Sequence, residues 1–274
     1  MSVILTHFAG RAGDHNDRAM RATPLLAREL ETLLETRAVV IGAAGSPEPA
    51  RWDTELSEAL PNLRRMADHY NLLLARRDRP ITVLSRCAVA LATLPAIARH
   101  RPDAIVVWFD AHADLNTPAS SDSGYLGGLA LAGPLGLWDS GLGSGLLREN
   151  AVLAGTRDLD AAEQRLVDDG HIQLVPVGPD LPKELRRVVA GRPVYVHIDC
   201  DVLEPGSVPT DYSVTGGMTL SQLAECARVL AEGEVVGLEV GELEVDETAP
   251  NDVGPAGAII TALDPLLRAI RSSR

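Results

Sequence analysis

The stretch Val106-Val107-Trp108-Phe109-Asp110-Ala111-His112-Ala113-Asp114 sets the reading of the chain. Four apolar residues, suited to a strand covered on both faces, run straight into an Asp-x-His-x-Asp cluster. A second apolar run, Val194-Tyr195-Val196-His197-Ile198, ends in Asp199-Cys200-Asp201. Open α/β folds place their ligand crevice at the carboxyl ends of the strands, where both clusters would emerge. Alternate residues of an extended segment face the same way. Asp110, His112 and Asp114 are therefore expected to converge on one point, and Asp199 with Asp201 on another. Five hard or borderline ligands in one crevice suit two divalent cations better than one, because gathered carboxylates repel unless cations offset their charge.

Outward from these clusters, short β-rich runs recur at residues 3–7, 38–41, 81–84, 104–109, 151–154, 172–175, 194–199 and 235–240. Segments with apolar residues near helical spacing lie between them, at residues 51–75, 88–100, 161–168, 182–189, 219–231 and 255–270. Such alternation predicts an α/β fold with a mostly parallel eight-stranded sheet flanked by helices. No stretch reads as a linker, so residues 1–274 are read as one domain, long enough to bury roughly three-quarters of the unfolded surface. Gly and Pro gather at residues 117–147 and 204–217, directly after the acidic clusters, where recognition loops are expected.

Composition narrows the class. Aromatic residues make up only 3% of the chain, so the core must be built from Ala, Leu and Val. A formal charge of −13 disfavours nucleic-acid partners and suits a small cationic ligand near an acidic crevice. The three cysteines are scattered and give no disulfide framework, which points to a reducing cytoplasm. No signal-peptide pattern and no apolar run of about 18 residues is present, so neither export by such a signal nor a membrane span is expected.

With their flanks, Phe109-Asp110-Ala111-His112-Ala113-Asp114-Leu115-Asn116-Thr117-Pro118 and His197-Ile198-Asp199-Cys200-Asp201-Val202-Leu203-Glu204-Pro205 resemble the arginase, agmatinase and formiminoglutamase (ureohydrolase) family. The resemblance implies a three-layer arginase-like fold and two metal ions, usually Mn²⁺, bridged by a hydroxide that attacks a guanidino carbon. One ion would be held by Cys87, Asp110, Asp114 and Asp199, the other by His112, Asp110, Asp199 and Asp201. Cys87 stands where the family has a histidine; a thiolate can replace it, and shifts preference toward zinc without excluding manganese or another divalent ion. On the substrate side, Asn116, Ser121 and Ser123 match residues at the amino-acid carboxylate, and Asp160 the acceptor of the α-amino group. Glu242 matches the carboxylate that holds the guanidinium. Taken singly, these polar loop residues also suit turns and caps.

A second departure concerns proton transfer. Gly127 occupies the register of the family's proton-shuttling histidine, which leaves Asp114 as the candidate to protonate the leaving nitrogen. General acid catalysis is typically worth about 10²–10⁴-fold, so arginine is expected to be a poor substrate and a less basic N-hydroxylated guanidine a better one. The expected reaction is cleavage of Nω-hydroxy-L-arginine to ornithine and hydroxyurea, as in the branch of the family serving D-cycloserine-type antibiotic biosynthesis. Ordinary arginase or another guanidino-acid hydrolase is the alternative, and a metal-poor binding protein the second. His197 shares a face with Asp199 but is read first as a hydrogen-bonded core residue; His7, His15, His69, His100 and His171 carry no ligand spacing. The chain stops just after the helical segment ending near Ile270, without the extension that trimerises many arginases, so a monomer is expected.

Overall fold

A computed structural model describes residues 1–272. Eight strands form a single sheet in the order β2-β1-β3-β8-β7-β4-β5-β6. They are β1 (Val3–Phe8), β2 (Val39–Ile41), β3 (Arg79–Val83), β4 (Ile105–Phe109), β5 (Ala151–Ala154), β6 (Gln173–Val175), β7 (Val194–Asp199) and β8 (Val235–Gly241). All eight expected strands are present, and every pairing is parallel, edges included. Strands β3, β4, β7 and β8 are buried along their whole length, and β4, Ile-Val-Val-Trp-Phe, accordingly reads as a continuous apolar run rather than an alternating one.

The helices are α1 (Arg18–Leu34), α2 (Trp52–Ala75), α3 (Ala90–His100), α4 (Ala161–Asp168), α5 (Leu181–Val189), α6 (Leu220–Leu230) and α7 (Gly254–Ser272). One face of the sheet is packed by Leu26 and Leu30 of α1, Leu185 of α5, Leu223 of α6 and Ile259 and Leu266 of α7. The opposite face is packed by Leu63, Met66 and Tyr70 of α2 and Leu91 and Ile97 of α3, with Leu166 of α4 at its margin. Three layers result.

Helix α1 lies outside the helical segments read from the sequence, and like α2, α3 and α7 it runs through an internal proline, Pro24. Proline offers no N–H to the carbonyl four residues back, that of Met20. The Thr23 hydroxyl donates to that carbonyl instead, at 3.1 Å, so the helix continues through the proline. Among the described residues no helix is long and apolar enough to cross a membrane.

Candidate active site

The carboxyl ends of β3, β4, β7 and β8 deliver Cys87, Asp110, Asp199 and Glu242 to one end of the sheet. A cavity of about 240 Å³ opens there, lined among others by Cys87, His112, Asp114, Asp199, Asp201 and Glu242. Turns, not an extended strand, bring the cluster residues together. Asp114 has a left-handed backbone, φ 53°, and Asp201 sits in a single 3₁₀ turn, Cys200–Val202. Asp199 Oδ1 accepts the Asp201 N–H at 2.7 Å and Asp110 Oδ1 accepts the His112 N–H at 2.7 Å, so each cluster is folded around its first carboxylate.

His112 ties the two clusters to each other, with Nδ1 3.0 Å from Asp201 Oδ2 and 3.4 Å from Asp110 Oδ1. Burial opposes charge on its ring, but Asp110 and Asp201 override that and push it up to about 12. Burial and the Asp201 charge push Asp110 up to about 7. Asp199 is raised by burial and by Asp201, and Asp114 by burial and by Asp110. Four buried carboxylates thus share one imidazole as counter-charge. Three tight ligand groups form here: Cys87 with Asp110 and His197, Cys87 with Asp199 and Glu242, and Asp110 with His112 and Asp201. This donor set fits divalent cations. Asp114 lines the cavity but belongs to none of the three groups.

Cys87 begins a 3₁₀ turn leading into α3 and is almost fully buried. Its Sγ lies 3.2 Å from Asp199 Oδ2 and 3.1 Å from His197 Nε2. His197 is both a core residue and a neighbour of the site. Its ring stacks on Trp108, its cross-strand partner, with centroids 3.5 Å apart, and its Nδ1 is 2.8 Å from Glu239 Oε1. Glu239 Oε2 also accepts from Thr93 and Tyr195, at 2.8 and 2.6 Å. Behind Cys87 there is therefore a fixed imidazole–carboxylate pair. Such a pair holds a ligand in one orientation.

On the opposite side, Asn116, Ser123 and Asp160 line the cavity, and Asn116 Nδ2 donates to Asp160 Oδ2 at 2.6 Å. Ser121 does not line it; its Oγ accepts the Gly124 N–H at 3.0 Å and closes the turn. Glu242 has φ 61°, a strained conformation that aims its carboxylate back at Cys87, whose N–H donates to Oε1 at 2.9 Å.

Several site residues escaped the sequence. Arg86 is fully buried and bonds Glu242 Oε2 at 2.6 Å, Glu244 Oε1 at 3.0 Å and Asp14 Oδ1 at 3.3 Å. A cationic residue between Ser85 and Cys87, in an otherwise apolar stretch, was the available signal, since buried arginines are paired. Glu163 lines the cavity while its two oxygens accept the N–H groups of Leu115 and Asp160, both at 2.8 Å. Arg157 spreads its guanidinium over the carbonyls of Gly155, Asp201, Val202, Leu203, Val214 and Thr215, at 2.6 to 3.4 Å. Tyr125 and Tyr212 complete the wall. No periodicity marks these loop positions.

Comparison with known proteins agrees with this geometry. The profile described as the arginase family matches residues 18–252. A similar protein, the Nω-hydroxy-L-arginine amidinohydrolase of Streptomyces lavendulae, is 36% identical over 234 residues, covering 85% of this chain and 86% of that protein. The crystal structure of arginase from Bacillus subtilis superposes with a TM-score of 0.80 at 20% identity, covering 96% of this chain and 98% of that one. Entamoeba histolytica arginase in complex with L-ornithine gives a TM-score of 0.81 at 19% identity, covering 97% and 99%. These two share the fold. With profile, relative and architecture in agreement, the chain belongs to the arginase family.

Proposed function

We propose that this protein is a dinuclear-metal amidinohydrolase that cleaves Nω-hydroxy-L-arginine to L-ornithine and hydroxyurea, in biosynthesis of a D-cycloserine-type antibiotic. It is a hydrolase acting on linear amidines. The finer reading is supported above all by the state of Glu242, which reaches the cavity already paired to the buried Arg86 guanidinium. Its charge is largely spent before a substrate arrives. A fully cationic arginine tail gains less from such a carboxylate than from a free one, whereas a hydroxyguanidine, being less basic, can enter uncharged. The 36% identical hydroxyarginine amidinohydrolase supports the same choice.

Cys87, Asp110, Asp114 and Asp199 would hold one ion, and His112, Asp110, Asp199 and Asp201 the other. Manganese is the proposed metal, with zinc or another divalent ion compatible with the cysteine. When bound, two such ions lower the pKa of water and polarise the carbon under attack. The protein's own residues do the rest. Asn116, Ser123 and Asp160 seat the amino-acid end, with Ser121 shaping the turn beneath it. Glu242 accepts from the guanidine nitrogens through the lone pairs that Arg86 and Cys87 leave free. Asp114, at the wall of the cavity, would relay the proton to the departing nitrogen. One sheet running from residue 3 to residue 241 supports a single working domain over residues 1–274; a cytoplasmic monomer is part of the same proposal.

The test is a side-by-side assay of the manganese-loaded protein on L-arginine and Nω-hydroxy-L-arginine, quantifying ornithine. The hydroxylated substrate should be turned over at least about 10²-fold faster. Equal rates would return the protein to ordinary arginase, and silence on both would make it a binding protein.

A further inference from the structure

We propose that the Tyr125 phenol is the contact that selects an N-hydroxylated guanidine over an unsubstituted one, and that Gly127 exists to make room for it. The proposal rests on the hydroxyarginine reading and extends it to a residue outside the family pattern. Tyr125 lines the cavity beside Cys87, Gly127 and Glu242, yet its hydroxyl is buried without a hydrogen-bond partner. A buried hydroxyl left unpaired is costly, and in a native cavity it points to a group that the ligand supplies.

The ring's position is determined by its neighbours. A Cβ on residue 127 would lie 2.3 Å from Tyr125 Cε1, 2.8 Å from Cζ and 3.0 Å from Oη. The tyrosine ring therefore fills the space that any side chain at 127 would need, including the histidine that the family resemblance implies there. His15 packs edge-on against the ring at 4.8 Å between centroids, and Tyr212 flanks it at 5.7 Å. The Tyr125 N–H is held by Ser123 Oγ at 3.2 Å. Burial and then the Glu242 charge keep the phenol well above its ordinary range, so it remains a hydroxyl at neutral pH.

A phenol O–H needs an acceptor. The guanidinium of arginine carries only donors, so its arrival would leave the Tyr125 proton unpaired. The oxygen of an N-hydroxyguanidine is an acceptor, and its own hydrogen can bond onward. Only the hydroxylated substrate satisfies the tyrosine, which is the arrangement by which a site strongly rejects an analogue lacking one hydroxyl.

Two substitutions approach the contact from different sides: Tyr125→Phe removes the hydroxyl and keeps the ring, while Gly127→Ala displaces the ring and keeps the hydroxyl. Each is loaded with manganese and assayed on Nω-hydroxy-L-arginine, and the dissociation constant for L-ornithine is measured by calorimetry as a ligand without the N-hydroxyl. Both variants should lose about tenfold or more in kcat/KM while binding ornithine within twofold of the wild type. Undiminished turnover by Tyr125→Phe would overturn the proposal and leave the hydroxyarginine reading intact. Equal losses in turnover and ornithine binding would also overturn it, by making the residue structural. Wild-type protein inert toward hydroxyarginine would overturn both.

Discussion

Arg86 is the residue on which the site's electrostatics turn. It is fully buried among Asp14, Glu242 and Glu244, so removing it would leave Asp14 and Glu242 buried without a cation, while Glu244 would keep Arg18 at 2.7 Å. Losing one partner of a buried ion network costs about 3–5 kcal/mol, and Arg86→Met should lose stability on that scale in urea denaturation. A loss below about 1 kcal/mol would mean that the carboxylates protonate or hydrate cheaply. Cys87 makes a separate prediction. With Asp199 Oδ2 and His197 Nε2 both near its sulfur, Cys87→Ser should keep the fold but weaken metal retention, read as fewer ions per chain after dialysis. Unchanged stoichiometry would make Cys87 an inert core thiol. Of these neighbours, Cys87 was visible by register against a known pattern; His197 was visible only as a residue on the correct face. Its stacking on Trp108 and its bond to Glu239 needed three dimensions, since neither pairing is close in sequence.

At the scale of elements, the strand ends are fixed by backbone and the loops by single side chains. Arg157 joins the end of β5 to the segment after β7 by bonding six carbonyls between residues 155 and 215. Lysine offers a compact charge without the planar fork. Arg157→Lys should therefore leave the sheet protected while amides of residues 203–217 exchange faster, with a raised KM and a smaller change in kcat. Uniform exchange in both proteins would remove the strap assignment. The central strands β4, β5 and β7 were legible because a parallel strand buried on both faces writes itself as a largely apolar run, while the exposed edge strand β2 was legible from its short Val-Val-Ile run. Helix α1 was not among the segments read, and Pro24 does not account for that, since α2, α3 and α7 were read through Pro61, Pro95 and Pro265. The acidic motifs exposed the cluster residues, but alternation along a strand was the wrong reason for their convergence: Asp114 turns on a left-handed φ of 53° and Asp201 on a 3₁₀ turn.

For the whole molecule, the site links folding to protons and to cations. Asp110 is raised to about 7 and His112 to about 12, so the metal-stripped folded chain holds more protons here than the unfolded chain does. The contribution of Asp110 is full below its ordinary carboxylate range and is lost as pH rises through 7; that of His112 is full below its ordinary imidazole range and declines toward 12. Stability of the stripped protein from this site should fall between pH 5 and 9, and the slope should be shallower in Asp110→Asn. Cations need the same groups deprotonated, so stabilisation by added manganese should grow over that interval. Melting temperatures at pH 5.5 and 8.5, with and without metal, check both signs. A manganese effect larger at the lower pH would contradict the ligand set.

The strand order has a temporal meaning. Strand β8, the last in the chain, lies in the middle of the sheet between β3 and β7. On the ribosome, β1 to β3 and β4 to β7 can each assemble as half-sheets, but no strand pairing joins them until residues 235–241 have emerged. Cys87 belongs to the early half, Asp110 and Asp199 to the late one, and Glu242 follows the closing strand. The set proposed for one ion, His112, Asp110, Asp199 and Asp201, therefore lies wholly in the late half, whereas the set that includes Cys87 is completed only when the closing strand brings the two halves together, so the two ions of the pair have different earliest moments of loading.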